Sequence, residues 1–329
     1  MSIEVSRVSA LMKKFHKSNI LVIGDLILDK FIWGDVSRIS PEAPVPVVLV
    51  NKESSMPGGA ANVACSINAL NGKTSILGVI GNDSDGKMLK KQLNNLADTS
   101  GLIIDETRHT ILKTRIVARH QQLVRVDREQ LGELSKKVLF EIIKYVRKHA
   151  SLFDAIIIED YGKGVISPDL IREVVSIAKK KNIIVTVDPK EDHFTYYKGV
   201  TCLTPNQSEA EKAIGIKITD EKSLFAAGKK FLHKLDCSSV LITRGEHGMC
   251  LFEKGKKPFQ IPTRAQEVFD VSGAGDTVIA AFTLALASGA EMQEAAHISN
   301  YAAGVVVGKV GVGTCTQEEL MGKILMQEK

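Results

Sequence analysis

One short stretch of the sequence combines glycine and acidic residues in a spacing that could do chemistry. The stretch from Asp270 to Asp276, DVSGAGD, leads directly into the apolar run 277–287, which predicts a helix. Gly273 and Gly275 permit a tight turn with backbone N–H groups close to a ligand, and the first helical turn adds unpaired donors and the positive end of the helix dipole. The pattern favours an anion site with the Asp276 carboxylate beside it, where it can accept a proton from a hydroxyl group.

A glycine turn, a helix start and an aspartate together fit phosphoryl transfer. That reaction needs positioned phosphates, neutralised charge and a base for the acceptor hydroxyl, but little covalent chemistry from the protein. A purely structural alternative is that Asp276 caps the helix and that the glycines only permit close packing. Because a cap does not require two spaced glycines, the sequence favours the catalytic interpretation.

Two other kinds of phosphate-binding loop find little support in the sequence. Gly72-Lys73-Thr74 resembles the end of a Walker A motif, but Ile67 stands where the first glycine of that motif belongs. The first predicted strand is followed by Gly24-Asp25-Leu26-Ile27 and not by GxGxxG. A dinucleotide-binding fold is therefore disfavoured.

Short β-branched runs alternate with helical patterns along most of the chain. Apolar strands are predicted at 20–23, 75–80, 155–158, 183–187 and 240–243, and helices at 60–70, 87–96 and 168–180. Strands that are apolar throughout are typical of buried parallel sheets. The predicted fold class is therefore α/β, a doubly wound, mostly parallel sheet flanked by helices, with sites at the carboxyl ends of the strands.

Two regions, near 30–52 and 109–127, alternate polar and apolar residues instead, as strands with one covered face do. In the first region, the turn from Ser40 to Pro46 contains three prolines, which are excluded from the centre of a sheet. The strands on either side of that turn are therefore predicted to be edge strands. We interpret both regions as a small β lid. Because no internal repeat or linker divides the chain, we treat 1–329 as one domain.

Composition and charge narrow the class of protein. The 329 residues are 44% hydrophobic and 25% charged, which is typical of a globular protein. A net charge of +5 suits a phosphorylated small molecule and is too small for a nucleic-acid-binding protein. Five scattered cysteines without CxxC spacing indicate neither disulfides nor a zinc site. The N-terminus is unlike a signal peptide and the longest apolar stretch is too short to span a bilayer, so we expect a cytoplasmic protein without membrane contact.

Further motifs resemble, in order and spacing, the PfkB or ribokinase family of sugar kinases. They are Gly24 with Asp29, GGAAN at 58–62, NQSE at 206–209 and DVSGAGD at 270–276. Within that family, other motifs look like the kinases that act on D-glycero-β-D-manno-heptose 7-phosphate. They are RISPEAPVP at 38–46, QQ at 121–122 with Arg125 and Asp127, DYGKG at 160–164 and DPK at 188–190. The likeness covers nearly the whole chain.

The resemblance implies a site for the sugar and the transferred group. Asp276 would be the catalytic base, and the backbone around the moving phosphoryl group would come from Gly273, Ala274 and Gly275. Sugar hydroxyls would be held by Asp29, Gly58, Gly59 and Asn62. A carboxylate and an amide suit that role, although Asn62 fits a helix cap equally well and Asp29 also fits a turn.

A substrate that already carries a phosphate requires cations at the far end of its pocket, where arginine is preferred because it binds two oxygens at once. The candidates are Arg38, Arg119 and Lys190. Arg38 lies in the predicted lid turn, and Lys190 follows a predicted strand where α/β sites form. Each of the three could instead be solvated surface charge.

The resemblance also implies ATP and Mg²⁺ as cofactors. Asn206 and Glu209 match the family's NxxE motif, in which the glutamate organises Mg²⁺, partly through water. Taken alone, this spacing is also that of a capping box at a helix start. Residues near ATP would be Thr243, Gly245, Asn300 and Ala303. Asp270, with carbonyl groups near Gly311 and Gly313, is a candidate site for K⁺.

We therefore expect a kinase that phosphorylates the anomeric hydroxyl of D-glycero-β-D-manno-heptose 7-phosphate in the synthesis of ADP-heptose for lipopolysaccharide. Alternatives are a kinase of the same family for another sugar and, from a different class, a sugar-phosphate sensor that binds without turnover. An apolar lid face favours a homodimer through the lid. Some such kinases are fused to a nucleotidyltransferase, whose HxGH signature does not occur in these residues, so the nucleotidyl-transfer step is expected to lie elsewhere or beyond these residues.

Overall fold

The computed structural model describes residues 3–119, 121–130, 132–264, 268–309, 311 and 313–327. Its strands are, in chain order, β1 (Asn19–Gly24), β2 (Leu26–Ile39), β3 (Pro46–Gly59), β4 (Lys73–Gly81), β5 (Asp98–Asp105), β6 (Ile111–Ala118), β7 (Gln121–Arg128), β8 (Ala155–Glu159), β9 (Ile184–Asp188), β10 (Cys202–Leu203), β11 (Ser239–Thr243), β12 (Met249–Glu253) and β13 (Phe259–Ile261). Its α-helices are α1 (Val5–Met12), α2 (Ala60–Ala69), α3 (Ser84–Leu93), α4 (Lys136–His149), α5 (Pro168–Lys181), α6 (Gln207–Ile214), α7 (Glu221–Leu235), α8 (Ala274–Ala287), α9 (Met292–Val306) and α10 (Gln317–Gln327).

The larger sheet forms the centre of the fold. Within the described ranges it contains nine strands in the order β13-β12-β11-β10-β9-β8-β1-β4-β5. Neighbouring strands from β11 to β5 are parallel, and β12 and β13 add antiparallel pairs at one edge. The chain first adds β4 and β5 on one side of β1 and then returns to its other side with β8. The winding direction therefore reverses between β1 and β8, where a ligand crevice is expected at the carboxyl ends of the strands.

Apolar layers cover both faces of this sheet. Along β1, Ile20 and Val22 pack with residues of α2, α8 and α9, whereas Leu21 and Ile23 pack with residues of α4, α5 and α7. Burial on both faces explains the continuous apolar run of this strand. α8 is buried from Asp276 to Leu286 and packs against α2, α9, β8 and β9. This packing fixes the start of α8 at the carboxyl edge of the sheet.

A second sheet, which we call the lid sheet, consists of β3, β2, β6 and β7 in that order. β2 pairs antiparallel with β3 and parallel with β6, and β6 pairs antiparallel with β7. The prolines at 41, 44 and 46 lie in the turn into β3 or at its first residue, and β3 is an edge strand. β2 was expected at an edge but lies inside the lid sheet, because it contains no proline and can pair on both sides.

The predicted α/β class is confirmed, including the mostly parallel sheet, the flanking helices and the small second sheet. The boundaries of several elements differ from the prediction. β2 and β3 are each fourteen residues long and reach the crevice, and α8 begins at Ala274 instead of residue 277. None of the helices in the described chain combines the length and apolar character that a transmembrane segment needs.

Candidate active site

Two strands of the larger sheet end in acidic residues at neighbouring positions. Gly24 at the end of β1 is in register with Glu159 at the end of β8, and Glu159 is in register with Asp188 at the end of β9. Side chains in register on neighbouring strands lie on the same face of a sheet. Glu159 and Asp188 are therefore side by side, and Asp276 of α8 lies close to both.

The DVSGAGD stretch forms the turn that starts α8. Gly273 has a φ of 78° and a ψ of 5°, a left-handed conformation that favours glycine. The Asp270 carboxylate accepts a hydrogen bond from the Ser272 N–H at 2.8 Å and shapes the turn. No side chain of the described residues caps α8 at this end. The N–H groups of its first turn can therefore bind an anion.

The Asp276 carboxylate is buried and held by two donors. Its Oδ2 accepts a hydrogen bond from Asn62 Nδ2 at 2.5 Å, and its Oδ1 accepts one from the Tyr161 hydroxyl at 3.0 Å. Burial raises the pKa of Asp276 above the ordinary value of an aspartate, and the two hydrogen bonds oppose that shift. Asp276 is therefore a fixed carboxylate with increased proton affinity, as a general base requires.

Asp276 is also part of an acidic cluster with Glu159 and Asp188. Single carboxylate oxygens of the three residues lie within 4.8 Å of one another. Glu159 is 1% exposed, and its Oε2 has no hydrogen-bond partner in the part of the chain that the structure describes. Burial and the neighbouring negative charges raise the pKa of Glu159 and of Asp188 well above ordinary values. A divalent cation would supply the missing positive partner, because such ions prefer carboxylate oxygens.

The loop that carries Tyr161 is fixed by Asp25, which follows β1. The buried Asp25 carboxylate accepts hydrogen bonds from the backbone N–H groups of Tyr161, Lys163 and Val165 at 3.0, 3.0 and 3.2 Å. Burial raises the pKa of Asp25 to about 6. Sequence reasoning missed Asp25, Tyr161 and Glu159. The only signal for them was that each lies at the end of an apolar strand or just after it, where the sites of α/β sheets form.

Asp29 lies on β2 at the lid side of the crevice. Arg115 of β6 donates a hydrogen bond to its carboxylate, and the Arg115 guanidinium lies 5.3 Å from the centre of the Phe31 ring. Gly58 approaches the Asp29 carboxylate so closely that a Cβ at this position would overlap it. Gly59 follows directly and precedes α2, which carries Asn62 to the Asp276 carboxylate. The GGAAN stretch thus connects the lid sheet to Asp276.

The three candidate cations for a sugar phosphate have different surroundings. Arg38 is exposed near the end of β2, and Arg119 is exposed in the turn after β6. Lys190 is half-buried, with its side chain close to Gly162 and its ammonium 3.8 Å from Glu191. It also lowers the pKa of Glu209. The charge of Lys190 therefore lies near the acidic cluster. Within the described ranges, neither arginine forms an ion pair.

Asn206 and Glu209 form a capping box at the start of α6. Asn206 Oδ1 accepts a hydrogen bond from the Glu209 N–H at 3.0 Å, and Glu209 Oε2 accepts one from the Asn206 N–H at 2.9 Å. The charge of Glu209 nevertheless contributes to the raised pKa of Asp188, and burial raises the pKa of Glu209 itself. Glu209 therefore both caps a helix and adds negative charge beside the acidic cluster.

A cavity of about 460 Å³ opens beside the start of α8. Its wall includes Ala274 and Gly275 together with the residues predicted to lie near a nucleotide, Thr243, Gly245, Asn300 and Ala303. The Asn300 amide donates a hydrogen bond to the Pro262 carbonyl at 2.8 Å. Much of the remaining wall is apolar, and such a cavity suits a flat heterocyclic ring with its polar end toward α8.

The candidate K⁺ site is only partly described. The Asp270 backbone N–H donates a hydrogen bond to the Val307 carbonyl at 3.3 Å, so that the turn is attached to the end of α9. Gly311 and Gly313 are described, but residues 310 and 312 beside them lie outside the described residues.

Comparison with known proteins adds a family match and two groups of similar proteins. Residues 17–319 match the model of the pfkB family carbohydrate kinases. The bifunctional protein HldE of Geobacter sulfurreducens is 44% identical over 325 residues, which cover 98% of this chain and 66% of the relative. The protein of the same name from Desulfatibacillum aliphaticivorans is 44% identical over 311 residues, which cover 94% of this chain and 64% of the relative. The chain thus spans slightly less than two thirds of the length of these relatives.

Two solved structures have a similar fold. Ribokinase of Arabidopsis thaliana complexed with ribose and ATP has a TM-score of 0.72 at 19% identity, over 93% of this chain and 98% of the other. Phosphofructokinase-2 of Escherichia coli in complex with potassium has a TM-score of 0.80 at 17% identity, over 95% of this chain and 99% of the other. At these identities the likeness concerns the fold alone.

Proposed function

The chain belongs to the pfkB family of carbohydrate kinases, and from this premise we propose that it transfers the γ-phosphoryl group of ATP to the anomeric hydroxyl of D-glycero-β-D-manno-heptose 7-phosphate. The products would be ADP and the 1,7-bisphosphate. The position of Asp276 carries the proposal. Asp276 lies in the first turn of α8, which lines the 460 Å³ cavity, and it is hydrogen-bonded to Asn62 of α2, the helix that follows β3 of the lid sheet. The choice of sugar is supported by the motifs at 38–46, 121–127 and 160–164 and by the relatives named HldE.

In the proposed reaction, the Asp276 carboxylate accepts the proton of the anomeric hydroxyl while the hydroxyl oxygen attacks the γ-phosphorus. Asn62 and Tyr161 hold that carboxylate in place. The N–H groups at the start of α8 stabilise the charge on the transferred group. Asp29 accepts hydrogen bonds from other sugar hydroxyls, with Arg115 keeping its carboxylate oriented.

Magnesium fits the oxygen donors at the acidic cluster, since Glu159 Oε2 is buried without a partner among the described residues. We propose that Glu159, Asp188 and Glu209 hold Mg²⁺, in part through water. The bound ion would neutralise charge on the phosphates of ATP. A role for Asp270 in K⁺ binding stays a prediction.

A coupled assay for ADP release, with a panel of acceptor sugars, tests the proposed function. We expect turnover of D-glycero-β-D-manno-heptose 7-phosphate to exceed that of fructose 1-phosphate, ribose and adenosine in kcat/KM. Turnover of one of those three without turnover of the heptose phosphate would reject the heptose assignment and support another sugar kinase of the family.

Tyr161→Phe tests the environment of the base. The Tyr161 hydroxyl donates a hydrogen bond that lowers the pKa of Asp276. Without that hydrogen bond, the pKa of Asp276 should rise further. Since the base acts deprotonated, the acid limb of the kcat profile should move to higher pH, with a near-normal rate at the alkaline plateau. Tyr196→Phe is the matched control, at a tyrosine whose ring stacks on His193. Equal pH profiles of the two variants would contradict the role of the Tyr161 hydroxyl in setting the pKa of Asp276.

We also propose a homodimer through the lid sheet. Val124 and Val126 of β7 are 48% and 54% exposed, an apolar surface on an edge strand that favours pairing with a second copy. Val124→Lys should weaken the dimer by more than about tenfold, because a twofold interface contains each substitution twice. Light scattering would measure the dissociation of the dimer. Leu152→Lys, at an exposed leucine outside the lid sheet, is the control. A monomeric wild type at micromolar concentration would contradict the proposal.

A cytoplasmic location is part of this proposal, because ATP is the phosphoryl donor. The five cysteines, none of which forms a disulfide in the described chain, are consistent with a reducing compartment.

A further inference from the structure

Four cationic side chains surround the lid side of the crevice, and three of them have a carboxylate partner. The partners are Asp29 for Arg115, Asp127 for Arg125 at 2.9 Å and Glu129 for Lys163 at 2.7 Å. The fourth cation is Lys113 of β6. Within the described residues, no carboxylate lies close enough to Lys113 to form an ion pair with it.

Lys113 points into the crevice and not into bulk solvent. It is in register with Asp29 on β2 and with Asp127 on β7, so these three side chains share one face of the lid sheet. Its ammonium lies 5.6 Å from the centre of the Tyr161 ring. Burial lowers the pKa of Lys113, and the positive charge of Lys163 lowers it further. A bound anion would stabilise the charge of a half-buried ammonium that has like charges nearby.

The position of Tyr161 relates Lys113 to the base. The Tyr161 hydroxyl contacts Asp276, while Lys113 lies over the ring of the same side chain. A substrate that presents its reacting hydroxyl to Asp276 and extends along Tyr161 would therefore bring its other end to Lys113. Four cations against three carboxylates leave one positive charge at that end.

We propose that Lys113, flanked by Arg125 and Lys163, forms a subsite for a phosphate monoester at the end of the acceptor substrate opposite the hydroxyl that is phosphorylated. The inference rests on the proposed sugar kinase activity and names the residue that would select an acceptor with a phosphate at that end. A phosphate monoester carries about −1.5 to −2 charges and three acceptor oxygens. Lys113 supplies the uncompensated charge, and Arg125 and Lys163 can each donate to a further oxygen.

Binding of inorganic phosphate tests the subsite without any reaction. Phosphorus NMR line broadening or calorimetry would compare the wild type with Lys113→Met, which keeps most of the length of the side chain and removes its charge. We expect the affinity for phosphate at this site to fall by about tenfold or more. Lys30→Met is the matched control, because Lys30 lies on the neighbouring β2 and pairs with Glu53. It follows Asp29 directly, so its side chain lies on the opposite face of the lid sheet. Equal phosphate binding in the wild type and Lys113→Met would overturn the subsite.

Kinetics separate binding of the phosphate from positioning of Tyr161. Lys113→Met should raise KM for D-glycero-β-D-manno-heptose 7-phosphate by about 10- to 50-fold, with kcat and KM for ATP changed less than about threefold. Lys113→Arg should recover most of the affinity, because it restores the charge. A fall in kcat with an unchanged KM would mean that Lys113 positions Tyr161 instead of binding the phosphate. A Lys113→Arg variant with the same high KM as Lys113→Met would mean the same. Both results overturn the proposal.

The two proposals fail in different ways. If the wild type turns over the heptose phosphate while Lys113→Met keeps its KM, the kinase assignment stands and the subsite is wrong. If the wild type does not turn over the heptose phosphate, the function is wrong, and the phosphate titration alone decides the subsite. In that titration, loss of binding in Lys113→Met but not in Lys30→Met supports it.

Discussion

Replacing Asp276 by Asn is expected to lower kcat by about 10² to 10⁴, the usual effect of removing a general base. The change removes the charge that accepts the proton and leaves the shape of the side chain almost intact. The new amide can keep its oxygen toward Asn62 Nδ2 and direct its N–H toward the Tyr161 hydroxyl, whose oxygen accepts a hydrogen bond as well as donating one. The protein should therefore fold normally and bind ATP and sugar phosphate with affinities close to those of the wild type.

Asp169→Asn is a matched control, because Asp169 is also an aspartate in the first turn of a helix, α5, but is exposed and pairs with Arg172 of the same helix. A stopped assay for ADP, with calorimetry for the two ligands, distinguishes loss of turnover from loss of binding. An unchanged kcat in Asp276→Asn would remove Asp276 from the mechanism and would favour the purely structural interpretation of the aspartate as part of a helix start.

The wild-type pH profile should agree with the same assignment. Burial raises the pKa of Asp276, and the base must be deprotonated to accept a proton. Activity should therefore be complete at alkaline pH and should fall as the pH drops through that raised pKa, at a higher pH than for an ordinary aspartate. An acid limb at or below the ordinary pKa of aspartate would contradict this environment.

The extent to which the sequence predicts the site depends on how local each feature is. The turn and helix start at Asp270 to Asp276 lie within seven consecutive residues, so glycine spacing and an apolar run are enough to predict them. The alternation of apolar strands and helices likewise predicts the α/β class, which is confirmed. In both cases the physical cause acts between neighbours in the chain.

Residues whose role depends on register between distant strands are not visible in the sequence. Glu159 is the last residue of an apolar strand, and only its register with Asp188 brings it into the acidic cluster. Lys113 looks like one polar residue of an alternating strand until β2, β6 and the loop after β8 are assembled around it. For the same phosphate, the sequence indicated Arg38, Arg119 and Lys190, because charge can be read from a sequence whereas exposure cannot. Those three residues stay predictions. The central position of β2 depends on pairing with β6, about 80 residues later in the chain.

Glu159→Gln should weaken activation by Mg²⁺ by about 10²-fold and, at the same time, stabilise the protein in the absence of the ion. Both effects have one cause. Glu159 is buried beside Asp188 and Asp276, and burial with those charges raises its pKa. A carboxyl group with a raised pKa in the folded state binds its proton more tightly there than in the unfolded chain. The free energy of unfolding therefore decreases as the pH rises above the ordinary pKa of glutamate.

The glutamine amide avoids this loss, because it is neutral at every pH and can donate a hydrogen bond to the Asp188 carboxylate. Without metal, the melting temperature of Glu159→Gln should exceed that of the wild type at pH 8, and the difference should shrink toward pH 5. Added MgCl₂ should then raise the melting temperature of the wild type more than that of the variant, because the cation supplies the charge that three close carboxylates need. Glu141→Gln, at an exposed glutamate of α4, should show neither effect. A variant with wild-type Mg²⁺ dependence but increased stability would mean that Glu159 and Asp188 share a proton in the working enzyme, and that the metal is held by Asp188 and Glu209 without Glu159.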